Sequence, residues 1–314
     1  MKLSLDEKKI RKGKPVGLPY QGSKKKISKK IVEIIKQNFG TDKPIYDIFG
    51  GGGAITVECI LNGLDVRYND LDEAITDMFQ KVLNQDREWI KTLIVSREEF
   101  FEIKAKENKT TDDSLKLLIN SFGNNRKHYL YSTEWSDMKY NLAIEVITKH
   151  DVFSGYKQTE TYKNARRPYD KGKPEKNNVL QQLQRLQRLQ QLQQLEQLQQ
   201  LERVERLGRL GRFEQLERLE ATNLSYNCFS DVKDSILYLY PPYQGTHNYY
   251  KLEFDSLKFY DWAYEMAKNN IVIISSYSIS DDRFEEVYSF DKARSTLQGG
   301  IGNGKCEKLF MVKT

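Results

Sequence analysis

Residues 44–70 read PIYDIFGGGGAITVECILNGLDVRYND, and the fold class rests on them. The apolar run Pro44–Phe49 is short and bounded by glycines, which suits a buried strand. Gly50–Gly53 come next, a helical pattern covers Ala54–Asn62, and a second short run, Asp65–Tyr68, ends the stretch. Strand, glycine turn, helix and strand in that order begin a parallel, doubly wound sheet. A helical pattern at Lys25–Phe39 precedes it, and strand-like runs return at Ser235–Leu239, Asn270–Ser275 and Lys308–Val312. Another helical pattern, Ser256–Lys268, lies between the first two of these runs. The expected fold is therefore α/β, a doubly wound, mostly parallel, Rossmann-like sheet interrupted by a long insertion.

Composition divides the chain further. Residues 1–18 are lysine-rich and aperiodic, and read as a basic arm. Residues 19–85 and 222–314 carry the α/β pattern, and 86–178 mix helical patterns (Ser96–Lys106, Asp113–Asn120) with polar, aromatic and basic stretches. Residues 179–221 are of low complexity: from Leu180 to Leu219 an apolar residue recurs at every third position, separated mostly by Gln, Arg and Glu. At about 100° per residue a step of three winds around a helix instead of holding one face, so a coiled coil is a poor reading. The repeat is expected to be a helix-forming insertion of variable length, with partner binding as the rival reading.

Of the 314 residues, 50 are Lys or Arg and 44 Asp or Glu. Residues 1–30 hold eleven of the bases against two acids, leaving the rest of the chain slightly acidic. A basic face beside a near-neutral body suits a phosphate-bearing partner, and a solvated surface is the simpler alternative. No run reaches the roughly 18 apolar residues of a membrane span, and no apolar stretch comes after the first lysines, so neither a span nor a secretory leader is expected. Cys59, Cys228 and Cys306 are scattered and fit a reducing cytoplasm; no zinc or other metal site is expected.

The glycines after Asp47 let a ligand approach the backbone, and the helix start offers N–H groups. The stretch is neither GxxxxGK[ST] nor GxGxxG, and an acid at the strand end repels phosphate while attracting an α-amino group or a sulfonium. Tyr68-Asn69-Asp70 closes the second strand, where a carboxylate commonly takes ribose hydroxyls. A nucleoside with a cationic tail and no phosphate is S-adenosylmethionine; an ordinary glycine turn is the alternative. Leu239-Tyr240-Pro241-Pro242-Tyr243 succeeds a strand as a stiff loop, with Tyr243 offering a face on which a flipped base could stack.

Together these blocks resemble the Dam-like adenine-specific DNA methyltransferases, particularly the phage-encoded members. Pro19-Tyr20-Gln21-Gly22-Ser23-Lys24 resembles the family's N-terminal cofactor block, Asp47–Gly53 its D-x-F-x-G-x-G loop, and Leu239–Tyr243 its D-P-P-Y block. The resemblance implies transfer of a methyl group from S-adenosylmethionine to the exocyclic amino group of adenine in double-stranded DNA. It assigns Tyr20, Lys24, Asp47, Phe49, Gly51, Gly53 and Asp70 to the cofactor, and Tyr240, Pro241, Pro242 and Tyr243 to the base. It also places the target-recognition part within the insertion, where Asn124, Asn125, Arg126 and Lys127 are the candidate DNA readers, with Arg166 and Arg167 on phosphates. Tyr240 stands where the family has its aspartate, whose carboxylate accepts from the adenine amino group. A homologue that binds without transfer, and an interaction protein displaying the leucine repeat, are the competing readings. The expected enzyme is a cytoplasmic monomer or weak dimer, with a restriction endonuclease as a candidate partner.

Overall fold

In a computed structural model the described residues are 2–19, 23–150, 159–164, 185–186, 188–190, 192–193, 221–242, 254–290 and 306–313. Tyr20, Tyr243, Arg166, Arg167 and most of the leucine repeat lie outside them. The chain divides into two compact units, one from residues 1–16, 22–76 and 209–314, the other from 17–21 and 77–208.

The first unit holds the sheet. Its strands are β1 (Ile45–Asp47), β2 (Val66–Tyr68), β3 (Ile236–Leu239), β4 (Ile271–Ser276), β5 (Phe284–Ser289) and β6 (Lys308–Val312), in the order β2-β1-β3-β4-β6-β5. The pairings β2-β1, β1-β3 and β3-β4 are parallel, and β6 runs antiparallel to both β4 and β5. The expected doubly wound, mostly parallel sheet is present, extended by a reversed strand. All four residues of β3 are buried, as strands covered on both faces require.

Helix α1 (Ser28–Phe39) buries Ile31, Val32, Ile34 and Ile35 and stops at Gly40, whose φ of 84° suits a residue without Cβ. Helix α2 (Ala54–Leu61) comes directly after the glycines and packs against α1. Between β3 and β4 the chain forms a helix, Ser256–Met266, whose Phe259, Tyr260, Ala263 and Met266 join Leu237, Leu239, Val272 and Ile274 in one apolar core.

Strand β5 has no clear mark in the sequence. Glu285 and Glu286 interrupt its apolar pattern, and a register shift between Glu286 and Tyr288 breaks its alternation. Of residues 1–18, read as a basic arm, several are bonded to this unit. Leu3 N–H donates to Val287 O, Asn38 and Gln37 of α1 hold Ser4 and Asp6, and Arg11 forks onto the buried Glu58 at 2.8 Å on both oxygens.

Helix α3 (Glu73–Leu83) carries the chain from the first unit into the second. Beyond it lie α4 (Arg87–Lys91), α5 (Arg97–Ala105), α6 (Thr111–Asn120) and α7 (Thr133–Lys149). Ser96 caps α5, and Thr110 with Asp113 forms a reciprocal capping box on α6, so the sequence marks both helix starts. Val95, Phe100, Ile103, Leu117, Tyr129 and Tyr131 form an apolar cluster in this unit.

The described part of the repeat packs into the second unit. Leu186, Leu189 and Leu192 are 0% exposed, and Arg185 is buried with them. From Leu186 to Leu192 the stripe drifts by about 120°, narrow enough for a single buried face over two turns. The winding that argues against a coiled coil applies to the full repeat and not to so short a piece.

Candidate active site at the C-terminal edge of the sheet

Asp47 ends β1, Asp70 lies two residues beyond β2, and Tyr240 is the first residue after β3. The register sets Asp47 beside both Tyr68 and Tyr238, so all three reach the same C-terminal edge. The chain steps from β1 to β2 on one side and later to β3 on the other. The edge is therefore a topological switch point, where open α/β sheets leave a crevice for ligands.

The loop Ile48–Gly53 is tied down from both sides. Asp47 Oδ2 accepts from the Thr56 N–H at 3.1 Å and the Thr56 hydroxyl at 2.6 Å, bracing the end of β1 against the first turn of α2. Asp70 Oδ2 accepts from the Gly51 N–H at 2.8 Å and its Oδ1 from the Asp72 N–H at 2.9 Å. Tyr68 donates its hydroxyl to Gly51 O at 2.8 Å. A Cβ on Gly50 would lie 2.3 Å from the Tyr68 ring, so only glycine lets the loop come this close to β2. Gly51 and Gly53 adopt φ of 51° and 72°, the left-handed region that glycine tolerates.

Asn69, quoted in the sequence without a role, clasps the edge. Its side-chain amide donates to Ile48 O and Leu224 O, and its oxygen accepts from the Thr222 hydroxyl and the Leu224 N–H. Asn223 adds bonds to Asp70 O and the Thr76 hydroxyl. These partners lie some 150 residues from β2 in sequence, and no local pattern announces them.

The remaining expected residues are spread over both units. Phe49 belongs to an aromatic cluster with Tyr226, Phe254 and Phe259, its ring centroid 5.7 Å from that of Phe259. Lys24 stands against the segment after β3, 3.5 Å from the Tyr240 ring centroid. Pro241 is buried and Pro242 half-buried. In the second unit, Asn124 and Arg126 take φ of 58° and 59°, and Asn125 Oδ1 accepts from the Lys127 and His128 N–H groups. Asn125 thus shapes the loop that carries Arg126 and Lys127. Among the described residues no His, Cys, Asp and Glu cluster could hold a metal, and no helix is long and apolar enough to cross a membrane.

The sequence model of the D12 class N6 adenine-specific DNA methyltransferases matches residues 20–194, more than half of the chain. The chain belongs to that family. No curated protein matches it. As a D12 class methyltransferase it transfers a methyl group from S-adenosylmethionine to N6 of adenine in DNA. The matched residues include the glycine loop, Asp70, the 121–128 loop and the start of the leucine repeat, and end before β3 and Tyr240. Family membership supports neither the non-transferring homologue nor the interaction protein.

Burial governs the two carboxyls. It raises Asp47 to about 7, against the pull of its Thr56 hydrogen bonds and with a further push from Asp70. It raises Asp70 to about 6, opposed by the N–H groups of Asp72 and Gly51. A carboxyl with a raised pKa binds its proton more tightly folded than unfolded. Stability is then greatest while both are protonated and falls as pH rises from about 4 to about 7, after which it levels. Asp47→Asn should flatten that slope in a pH series of thermal melts of the cofactor-free enzyme, and an unchanged slope would show that other groups set it.

Proposed function

We propose that the C-terminal edge of β1, β2 and β3 is the seat of methyl transfer, with Lys24, Asp47, Phe49, Gly51, Gly53 and Asp70 around the cofactor and Tyr240, Pro241, Pro242 and Tyr243 around the target adenine. One observation carries the reading: two buried carboxylates flank a glycine loop at the switch point. Such a place repels phosphates and suits a cationic nucleoside, so the residues present fit S-adenosylmethionine. When bound, that group supplies an electrophilic methyl on a sulfonium. Asp70, already aligned by Gly51 and Asp72, would take the ribose hydroxyls. Asp47 would attract the cationic tail and hold the loop through Thr56. The prolines after Tyr240 would keep the base-facing segment extended, so that positioning supplies most of the acceleration.

The second unit is proposed as the target-recognition part. Its 121–128 loop, held between Ser121 and Tyr129 by an antiparallel bridge, would bring Arg126 and Lys127 to the DNA, with Asn124 and Asn125 shaping or reading beside them. The reading has the enzyme act as a monomer or weak dimer in the cytoplasm of a bacterial or phage-infected cell.

The direct test is transfer of label from S-adenosylmethionine to adenine in duplex DNA, with adenine-free duplex as control. Calorimetry should show Asp70→Ala weakening cofactor binding by at least ~1.5 kcal/mol, the scale of hydrogen bonds to a charged group. Unchanged affinity would remove Asp70 from the site. Duplex binding should weaken steeply with salt, with a log–log slope of about −0.9 per phosphate contacted. Arg126→Gln combined with Lys127→Gln should make that slope shallower, and a slope equal to the parent's would exclude the loop from the DNA contact.

A further inference from the structure

A pair of buried charges lies against Tyr240. Lys24 Nζ is 2.6 Å from Glu307 Oε2, with the two side chains 8% and 3% exposed. The other Glu307 oxygen accepts from the Ser275 hydroxyl at 2.8 Å. The same ammonium stands 3.5 Å from the centroid of the Tyr240 ring. These four residues come from separate parts of the first unit. Lys24 opens a short turn, Lys24–Lys26, that Ser23 caps; Tyr240 succeeds β3; Ser275 is in β4; Glu307 directly precedes β6. Register places Ile274 beside Leu239 and Leu309 beside Ser275, so three strand ends converge on one lysine.

A lysine this deeply buried is held in its charged form only by a partner. Burial draws Lys24 down to about 8, and Glu307 acts against that fall. Without the carboxylate the ammonium would lose its proton or swing toward water, and the cation–π contact that fixes the Tyr240 ring would go with it. We propose that Glu307 is a positioning residue for the catalytic block: it anchors Lys24, and Lys24 sets the orientation of Tyr240 at the end of β3. That this orientation matters for methyl transfer rests on the reading of the edge as the active site, whereas the coupling of positions 307 and 240 through Lys24 does not.

Because Lys24 touches both neighbours, a carboxylate introduced at 240 would lie within reach of the same ammonium. Residues 240 and 307 then become alternative partners of one lysine, which gives the inference a signature that independent structural roles lack. In the parent, Glu307→Gln should lower the melting temperature by about 6 °C or more, as breaking a buried pair does. It should also slow single-turnover methylation at least ~10-fold at saturating S-adenosylmethionine, where any loss of cofactor affinity through Lys24 is offset. In a Tyr240→Asp background the same substitution should cost less than about 2 °C and less than about threefold in rate. Equal losses in the two backgrounds would overturn the inference. Should Glu307→Gln alone fail to fold, the Lys24→Gln, Glu307→Gln double variant leaves no orphaned charge and should fold yet remain slow; parental rates in it would overturn the inference equally. The melting arm is independent of transfer. Coupled melting temperatures in a protein that never methylates DNA would sink the active-site reading and leave the coupling standing.

Discussion

Tyr240→Asp should raise the single-turnover rate of adenine methylation by at least ~100-fold, equivalent to about 2.7 kcal/mol of transition-state stabilisation. Tyr240 is the first residue after β3, at the edge where Asp47 and Asp70 flank the glycine loop. A phenol there accepts weakly from an amino group, whereas a carboxylate supplies a charge-assisted acceptor roughly twice as strong. The ring also fills volume beside the segment that would receive the base, and removing it opens that volume. The surroundings are already arranged for a negative charge, since the Lys24 ammonium is 3.5 Å from the ring centroid. A carboxylate at 240 would therefore share this cation with Glu307, which lessens the cost of burying the new charge. The measurement is a single-turnover assay of both forms on adenine-containing duplex DNA at saturating cofactor. Equal rates would mean that another group accepts from the amine, and a slower variant would show that the phenol itself is required.

The parts of this site that sequence makes legible are those built from neighbouring residues. Asp47, the glycines, α2 and Asp70 fall within one βαβ stretch, where an apolar run, a glycine cluster and a strand-end acid each have a local physical reason. Tyr240-Pro241-Pro242 is legible for the same reason, since a double proline after an apolar run is a local signal. Contacts made across the chain are not. Asn69 quoted in a motif gives no hint that Thr222, Asn223 and Leu224 close on it. Glu307 before an ordinary strand gives none that it neutralises Lys24, 283 residues away. Strand β5 is hidden for a different reason. Its glutamates are half-buried on an edge strand, so the alternation that marks a strand is diluted at Glu285 and Glu286. In the leucine repeat the periodicity itself is read correctly over forty residues, yet only a few turns decide how its first part packs.

That packing makes the repeat the second place where a large effect is expected. Deleting Arg185–Gln193, three whole units, should abolish the folding of the second unit, seen as loss of soluble protein or of a cooperative melt. Leu186, Leu189 and Leu192 are each 0% exposed, and truncating one buried leucine typically costs about 2–5 kcal/mol. Three together rival the whole stability of an ordinary domain, about 5–15 kcal/mol. The two arginines of this stretch are as deeply engaged. Arg185 donates to Val95 O at 3.1 Å and to the Tyr129 hydroxyl at 2.6 Å, and its guanidinium lies 4.6 Å from the Tyr131 ring centroid. Arg188 donates to Ile119 O and to Ser121 O, the latter at 3.0 Å, at the root of the 121–128 loop. Glutamine, the commonest polar residue of the repeat, is too short and uncharged to replace either clamp. Arg185→Gln alone should cost about 1.5–3 kcal/mol, the value of hydrogen bonds to a charged group. Removing the single residue Gln190 supplies the sharper control. In helical backbone, as at Arg188–Gln190 and Leu192–Gln193, losing one residue turns what comes after by about 100° and takes Leu192 off the buried face, while shortening the chain far less than the nine-residue deletion. Register and not length is then the decisive quantity, and urea melts should rank the single deletion below Arg185→Gln in stability. A melt for the nine-residue deletion within about 2 °C of the parent, less than about 1 kcal/mol for a chain of this size, would instead return the repeat to the status of a tolerated insertion.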